Sequence, residues 1–216
     1  MGSGALNKEY LLDDLRDLVG EPVIMALSRV PRELFVPGHL ERRAYDDTPL
    51  PIGLDQTISA PHMVAVMCEL LDLRPGMKVL EVGGGSGYHA AVLAVLAGPK
   101  GHVYSVERMP ELVVQARKNL EKAKIANVTM VEANGSLGLP EHAPYDRISV
   151  AAAAPQTPES LKQQLIVGGK MVLPVGRYRQ ELLLVIRKND GFEVEAKMGV
   201  VFVPLIGVEG FKEQQI

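Results

Sequence analysis

The segment Val79-Leu80-Glu81-Val82-Gly83-Gly84-Gly85-Ser86-Gly87-Tyr88-His89-Ala90-Ala91 constrains this chain more than any other. A short apolar run stops at clustered glycines, and an alanine-rich segment follows without a linker, the pattern of a buried parallel strand turning tightly into a helix. Such a turn is a binding device. Gly83 and Gly85 let the backbone approach a ligand where a Cβ would collide, and residues 86–88 place unpaired amide donors at the helix start.

The alternation continues downstream. Strands are expected over 78–82, 102–107, 127–132, 145–152 and 170–174, with helices over 86–96, 110–124 and near 158–165. Residues 182–187 and 192–203, separated by Lys188-Asn189-Asp190-Gly191, read as a closing hairpin. The expected fold is α/β, a doubly wound, mostly parallel Rossmann-like sheet with an antiparallel edge hairpin.

Upstream, Leu11, Leu12, Leu15, Leu18 and Val19, then Val23, Ile24, Ala26 and Leu27, follow helical spacing broken at Gly20-Glu21-Pro22. Prolines 31, 37, 49 and 51 make 30–37 and 46–53 an extended, irregular cover, ordered by Phe35, Val36, Tyr45, Leu50 and Ile52. A further helix carries Met63, Val64, Met67, Leu70 and Leu71 on one face, with Pro61 in its first turn and Ser59 in the cap region. One domain over 1–216 is expected: a cover over 1–76 that contributes Ser59, a cofactor-binding core over 77–187, and an edge strand and tail over 188–216.

A hydrophobic content of 47% in 216 residues is ample for a core. The apolar runs are far shorter than the ~20 residues of a membrane span. Net charge is −3 with scattered lysines and arginines, which leaves no basic footprint for nucleic acid. Met1-Gly2-Ser3-Gly4-Ala5 lacks the basic region and apolar stretch of a secretory signal, so the cytoplasm is the expected compartment; a monomer is the expected state. A single cysteine, Cys68, excludes an intrachain disulfide and reads as a core thiol. None of His39, His62, His89, His102 and His142 has metal-ligand spacing, so no metal is expected. No G-x-S-x-G elbow or Cys-His arrangement supports nucleophilic hydrolysis.

A dinucleotide fingerprint requires glycine where Tyr88 stands; Gly87 instead gives acidic-x-Gly-x-Gly-x-Gly from Glu81. That spacing resembles motif I of the class I S-adenosylmethionine-dependent methyltransferases. Ligands of such sheets sit at the strands' carboxyl ends. Glu107, about twenty residues past the loop at a strand end, suits ribose hydroxyls. Asn134 and Gly135 suit an adenine edge, or equally form an ordinary Asn-Gly turn. Glu81 is expected under the loop, accepting hydrogen bonds from its amides or from the ligand's amino-acid end.

The resemblance extends further. Val30-Pro31-Arg32-Glu33-Leu34-Phe35-Val36-Pro37, Ala44-Tyr45-Asp46-Asp47, Gln56-Thr57-Ile58-Ser59-Ala60-Pro61, Gly83 to Tyr88, Ala143-Pro144-Tyr145-Asp146, Pro174-Val175-Gly176 and Phe202-Val203-Pro204-Leu205 come in the order seen in the protein-L-isoaspartate O-methyltransferases. The similarity runs from about Leu11 to Gly207. It implies transfer of a methyl group from S-adenosylmethionine, leaving S-adenosylhomocysteine, to the α-carboxylate of L-isoaspartyl residues in damaged proteins and peptides. It implies that Ser59 matches the active-site serine, and that Gln56, Thr57, Ile58 and His62 line the pocket with Glu81, Gly83, Gly85, Ser86, Gly87, Glu107, Asn134 and Gly135. Val203, Leu205 and Ile206, with Thr57 and Ser59, would border the peptide groove. Three positions depart from the pattern: Asn134 stands where the family usually has aspartate, Gly84 where a small polar residue is frequent, and Ala151 where threonine is common. Asn134→Asp is on this reading expected to tighten cofactor binding. Rival readings are a class I methyltransferase with another substrate and a non-catalytic adenosylmethionine-binding or peptide-binding module. Ala151-Ala152-Ala153-Ala154-Pro155 after the fourth strand argues against adenine N-methylation, which uses an Asn/Asp-Pro-Pro-Tyr type motif.

Overall fold

The chain alternates strand and helix from residue 78 onward because its apolar runs are too short and too β-branched to be helices and are punctuated by glycine and proline. The computed structural model describes residues 3–213, so Met1, Gly2 and the last three residues of the tail lie outside the described residues. Strands β3 (Lys78–Val82), β4 (His102–Glu107), β5 (Val128–Glu132), β6 (Tyr145–Val150), β7 (Leu165–Val175), β8 (Gln180–Lys188) and β9 (Gly191–Val200) form one sheet in the order β5-β4-β3-β6-β7-β8-β9. The first five are parallel; β7 with β8 and β8 with β9 are antiparallel. Strand order reverses at β3, which places the topological switch point at the glycine loop.

Period-two alternation sets what lies on each face of β3. Leu80 and Val82 join a core cluster with Ile148, Val150, Leu161 and Leu205, while Val79 joins the opposite cluster with residues of α2 (Glu21–Arg29), α3 (Pro61–Leu71), α4 (Tyr88–Ala97) and α5 (Pro110–Lys122). Glu81 shares the Val79 face, so its carboxylate is forced under the helical layer.

The two N-terminal helices are α1 (Ser3–Leu15) and α2, parted at Gly20 with Pro22 in the first turn of α2. Two 3-10 turns follow, Arg32–Phe35 and Gly38–Arg43. The cover is not irregular throughout: β1 (Leu50–Gly53) and β2 (Gln56–Ile58) form an antiparallel hairpin. Its two-residue turn has positive φ at Leu54 (53°) and Asp55 (56°), the backbone of a type I′ turn. That turn is ordinarily marked by Asn-Gly, and Leu-Asp, preceded by Pro49 and Pro51, hides it.

Four boundaries also move. Helix α4 starts at Tyr88, with Gly87 (φ 85°) as its N-cap, and α6 is only Glu159–Gln163. Strand β7 starts at Leu165 because a bulge lets it pair with Tyr145 before the regular register resumes at Lys170. Strand β9 ends at Val200, and Pro204 then pairs with Ala153. The segment after β9 therefore crosses the carboxyl end of the sheet as a strap. Among the described residues no helix is long and apolar enough to cross a membrane.

Candidate active site

A cavity opens at the carboxyl ends of β3, β4 and β6, where a doubly wound sheet binds its ligands. Its floor is Gly83 to Ser86, its sides are Val106, Glu107, Gly135 and Ala151, and its roof is Gln56 to Ser59 with Val203 to Ile206. The loop's amides are nearly all assigned. Those of Gly83 and Gly84 donate to the Val106 carbonyl at 2.9 and 3.1 Å, that of Gly85 to Glu107 Oε2 at 2.9 Å, and that of Gly87 to the Gly84 carbonyl at 2.8 Å. The Ser86 amide has no partner among the described residues, so it is available to a ligand. The expectation of free donors over 86–88 thus fails at Gly87.

Glu107 does two things. Besides Gly85, it accepts from the Met109 amide through Oε1 at 3.0 Å, which fixes its rotamer while its remaining lone pairs face the cavity. Glu107→Ala is expected to weaken S-adenosylmethionine binding about 10- to 100-fold by calorimetry, the loss of a charge-assisted bond worth ~1.5–3 kcal/mol. Affinity within threefold of wild type would contradict that role.

Beneath the loop lies a buried polar chain. Ser105 Oγ donates to Glu81 Oε2; Glu81 Oε1 has no partner and stands 3.6 Å from His89 Nδ1; His89 Nε2 is 3.5 Å from Cys68 Sγ. Burial pushes the Glu81 carboxyl up to about 8, opposed by the Ser105 hydrogen bond and reinforced by Glu107. Burial pushes the His89 imidazole down to about 4 and the Cys68 thiol up. With both groups neutral, the Glu81–His89 contact is not an ion pair. Gly84 belongs to this arrangement: a Cβ there would collide with Ser105 Oγ and meet Met130 Cε at 2.8 Å.

A second, open groove adjoins the cavity, lined by His62 and Met63, by Tyr178 to Glu181 and by Met198 to Val203. Thr57, Ser59, Ala151 and Val203 line both. None of the four carries a charge. The Ser59 and Thr57 hydroxyls have no partner among the described residues, and the Ala151 amide is spent on the Val82 carbonyl at 2.8 Å.

Of the expected contacts, Gln56, Thr57, Ile58, Ser59, Gly83, Gly85, Ser86, Glu107, Gly135 and Val203 meet at the cavity wall, joined there by Leu205 and Ile206, which were expected along the peptide groove and do not line it. Four do not. Glu81 is wholly buried and bonds to Ser105 rather than to the loop amides. Gly87 packs against Ala116 of α5. Asn134 Oδ1 accepts from the Ser136 amide at 3.0 Å, capping a 3-10 turn. His62 lies in the open groove, its Nδ1 2.9 Å from Asp47 Oδ1. Ser59 is not a cap either: Ala60 holds the N-cap position of α3, and Asp47 Oδ1 accepts from the His62 amide at 2.9 Å. Sequence reasoning missed Asp47 and Arg32, for which spacing gives no signal, and His89, which lines the cavity.

The cavity fits S-adenosylmethionine. At Gly85 (φ 51°) a Cβ would meet only Ile52 Cδ1, at 3.4 Å, so the wall there is bare backbone, and the free Ser86 amide, the Glu107 carboxylate and the apolar Val82, Val106, Ile58 and Leu205 suit a nucleoside with a charged tail. Fold and cavity together define a class I S-adenosylmethionine-dependent methyltransferase.

Comparison with known proteins narrows this. Residues 6–210 match the family model described as protein-L-isoaspartate(D-aspartate) O-methyltransferase. A protein-L-isoaspartate O-methyltransferase of Methanothrix thermoacetophila is 65% identical over 96% of this chain and 99% of its own length. One from Methanococcoides burtonii is 57% identical over 88% of this chain and 94% of its own. A Plasmodium falciparum structure carrying the same family name, solved with S-adenosyl-L-homocysteine, superposes with a TM-score of 0.82 at 29% identity, covering 91% of this chain and 97% of that one. The chain belongs to the protein-L-isoaspartate (D-aspartate) O-methyltransferase family. As a member it transfers a methyl group from S-adenosylmethionine to L-isoaspartyl residues of proteins.

Proposed function

We propose that transfer takes place at the uncharged junction where Thr57, Ser59, Ala151 and Val203 border both spaces, with the cofactor in the glycine-loop cavity and the isoaspartyl peptide in the adjoining groove. That shared wall is the observation that carries the assignment. When bound, S-adenosylmethionine supplies a methyl group on a positively charged sulfur; Glu107, Ser86 and Gly135 would hold it.

The substrate α-carboxyl, with an ordinary pKa of ~3.5, is ionised at neutral pH, so the chain needs no general base. Its task is placement, a proximity effect worth up to ~7–11 kcal/mol. The Ser59 hydroxyl donates one neutral hydrogen bond that orients the carboxylate and leaves the other oxygen nucleophilic. A lysine or arginine touching it would hold that charge too tightly; none of the four shared residues is one, and Arg108 and Arg179 each line only one of the two spaces. Thr57 offers a second donor, and Ala151 contributes only a methyl.

Phe202 and Val203 of the strap line the groove and let an extended peptide lie along it by main-chain contacts, which admits many sequences, while Leu205 and Ile206 face the cofactor. On this reading the chain acts as a cytoplasmic monomer on proteins and peptides, with neither nucleic acid nor membrane as partner, in keeping with its net charge of −3. The discriminating assay offers labelled S-adenosylmethionine with an isoaspartyl peptide and its normal-aspartyl twin. Base-labile label on the first alone supports the assignment; label on both, or on neither, removes it.

A further inference from the structure

Arg32 is wholly enclosed, with 0% of its surface exposed, and no carboxylate lies within ion-pair distance of it, Asp47 acting on it only through space. A buried guanidinium is costly, and replacing one by an apolar side chain of similar volume is often neutral or stabilising. Packing alone therefore does not explain an arginine here. Its donors go to main-chain carbonyls of two distant segments: Nε to Ala44 at 2.7 Å and Nη2 to Ser59 itself at 2.8 Å, while Nη1 has no partner. Its planar head lies over the ring of Tyr88, 4.7 Å from the centroid, and Phe35 meets the same ring edge-on at 5.5 Å. Tyr88 is the first residue of α4, directly after the glycine loop.

We propose that Arg32 is the positioning residue of the transfer: it ties the Ser59 peptide to the start of α4 and so sets the gap between the serine hydroxyl and the glycine loop. This rests on the role given above to Ser59. The geometry uses what only a guanidinium has, donors diverging in one plane and a flat face for an aromatic ring. Ser59 is bracketed, held by Arg32 at its own carbonyl and by Asp47 at the His62 amide three residues on. The segment around Arg32 and the glycine loop, more than fifty residues apart in the chain, thus act on one distance.

The test measures kcat for an isoaspartyl peptide, normalised to the S-adenosylmethionine-binding stoichiometry from calorimetry, in Arg32→Met, Arg32→Lys, Ser59→Ala and the Arg32→Lys/Ser59→Ala double variant. Arg32→Met is expected to bind S-adenosylmethionine within threefold of wild type yet lose about 10²-fold in kcat per site, the scale of an ångström-sized misplacement. Arg32→Lys, whose point-like ammonium cannot serve both carbonyls and the ring, is expected to stay at least tenfold slow, and it carries the test if the methionine variant does not fold. Because Arg32 acts through Ser59, the double variant is expected to be no slower than Ser59→Ala. Wild-type kcat per site in Arg32→Met or in Arg32→Lys, or additive losses, would overturn the inference. If Ser59→Ala loses turnover while the Arg32 variants keep it, only the inference falls; if Ser59→Ala also keeps it, the reading of Ser59 falls first.

Discussion

Ser59→Ala is expected to slow methyl transfer to an isoaspartyl peptide about 10²-fold, while S-adenosylmethionine affinity and melting temperature stay near wild type. Removing one donor aimed at reacting oxygens costs ~10²–10³-fold in systems where it has been isolated, and Thr57 keeps the loss toward the lower figure. The structure separates this from the competing role in stability. A serine cap contributes ~1 kcal/mol, but Ala60 holds the cap position and Asp47 serves the helix amide, so the Ser59 hydroxyl has no capping bond to lose. Steady-state turnover, isothermal calorimetry and a thermal melt on the same preparation decide it. Wild-type turnover would show the hydroxyl to be idle, and a melting point several degrees lower would show it to be structural.

Much of the sheet was legible because its strands are short apolar runs bounded by glycine and proline, and because β3, buried on both faces, reads as nearly continuous hydrophobic sequence. The glycine loop and Glu107 were legible for the same reason: a doubly wound sheet brings strand ends together, and sequence spacing fixes what lies at each end. The cover obeys no such rule. Its hairpin turns on positive φ at a leucine and an aspartate, a conformation the local sequence disfavours and the surrounding packing imposes. Contacts made across it, Asp47 to His62 and Arg32 to Ser59, join residues 15 and 27 apart with no periodic signal. His62 accordingly was expected beside the cofactor and lies in the groove.

The departures from the family pattern read differently in three dimensions. Gly84 is required by the Ser105 hydroxyl beneath it, since a side chain there would strike Ser105 Oγ. Asn134, expected to weaken cofactor binding, spends its oxygen on a turn, and Gly207 passes so close that a Cβ on it would meet Asn134 Nδ2 at 2.7 Å. Its side chain thus packs against the strap that roofs the cavity. Ala151 stands at the junction itself, where a hydroxyl would add a third donor to the two already present.

Raising the pH from 6 to 9 is expected to destabilise the protein through Glu81, and Glu81→Gln to remove that part of the loss. The folded carboxyl titrates at about 8 because burial disfavours its anion, against an ordinary value of 4.5. Between those values the folded chain keeps a proton that the unfolded chain has released, so stability declines as pH rises. The contribution is complete below the unfolded value and gone above the folded one. His89 works in the opposite sense: its pKa, lowered by burial from 6.5 to about 4, gives stability that is present above 6.5 and lost as pH falls through 4. From 4.5 to 6.5 the two slopes offset each other, and the decline due to Glu81 emerges above that window. Across pH 6 to 9 urea titrations should show wild type losing about 2–3 kcal/mol more than Glu81→Gln, at ~1.4 kcal/mol per pKa unit. Glutamine preserves the acceptor for Ser105, so the substitution changes the ionisation and little else. Parallel stability curves for the two proteins over that range would mean that Glu81 does not titrate beneath the loop, and that its charge is balanced there by a group this geometry does not supply.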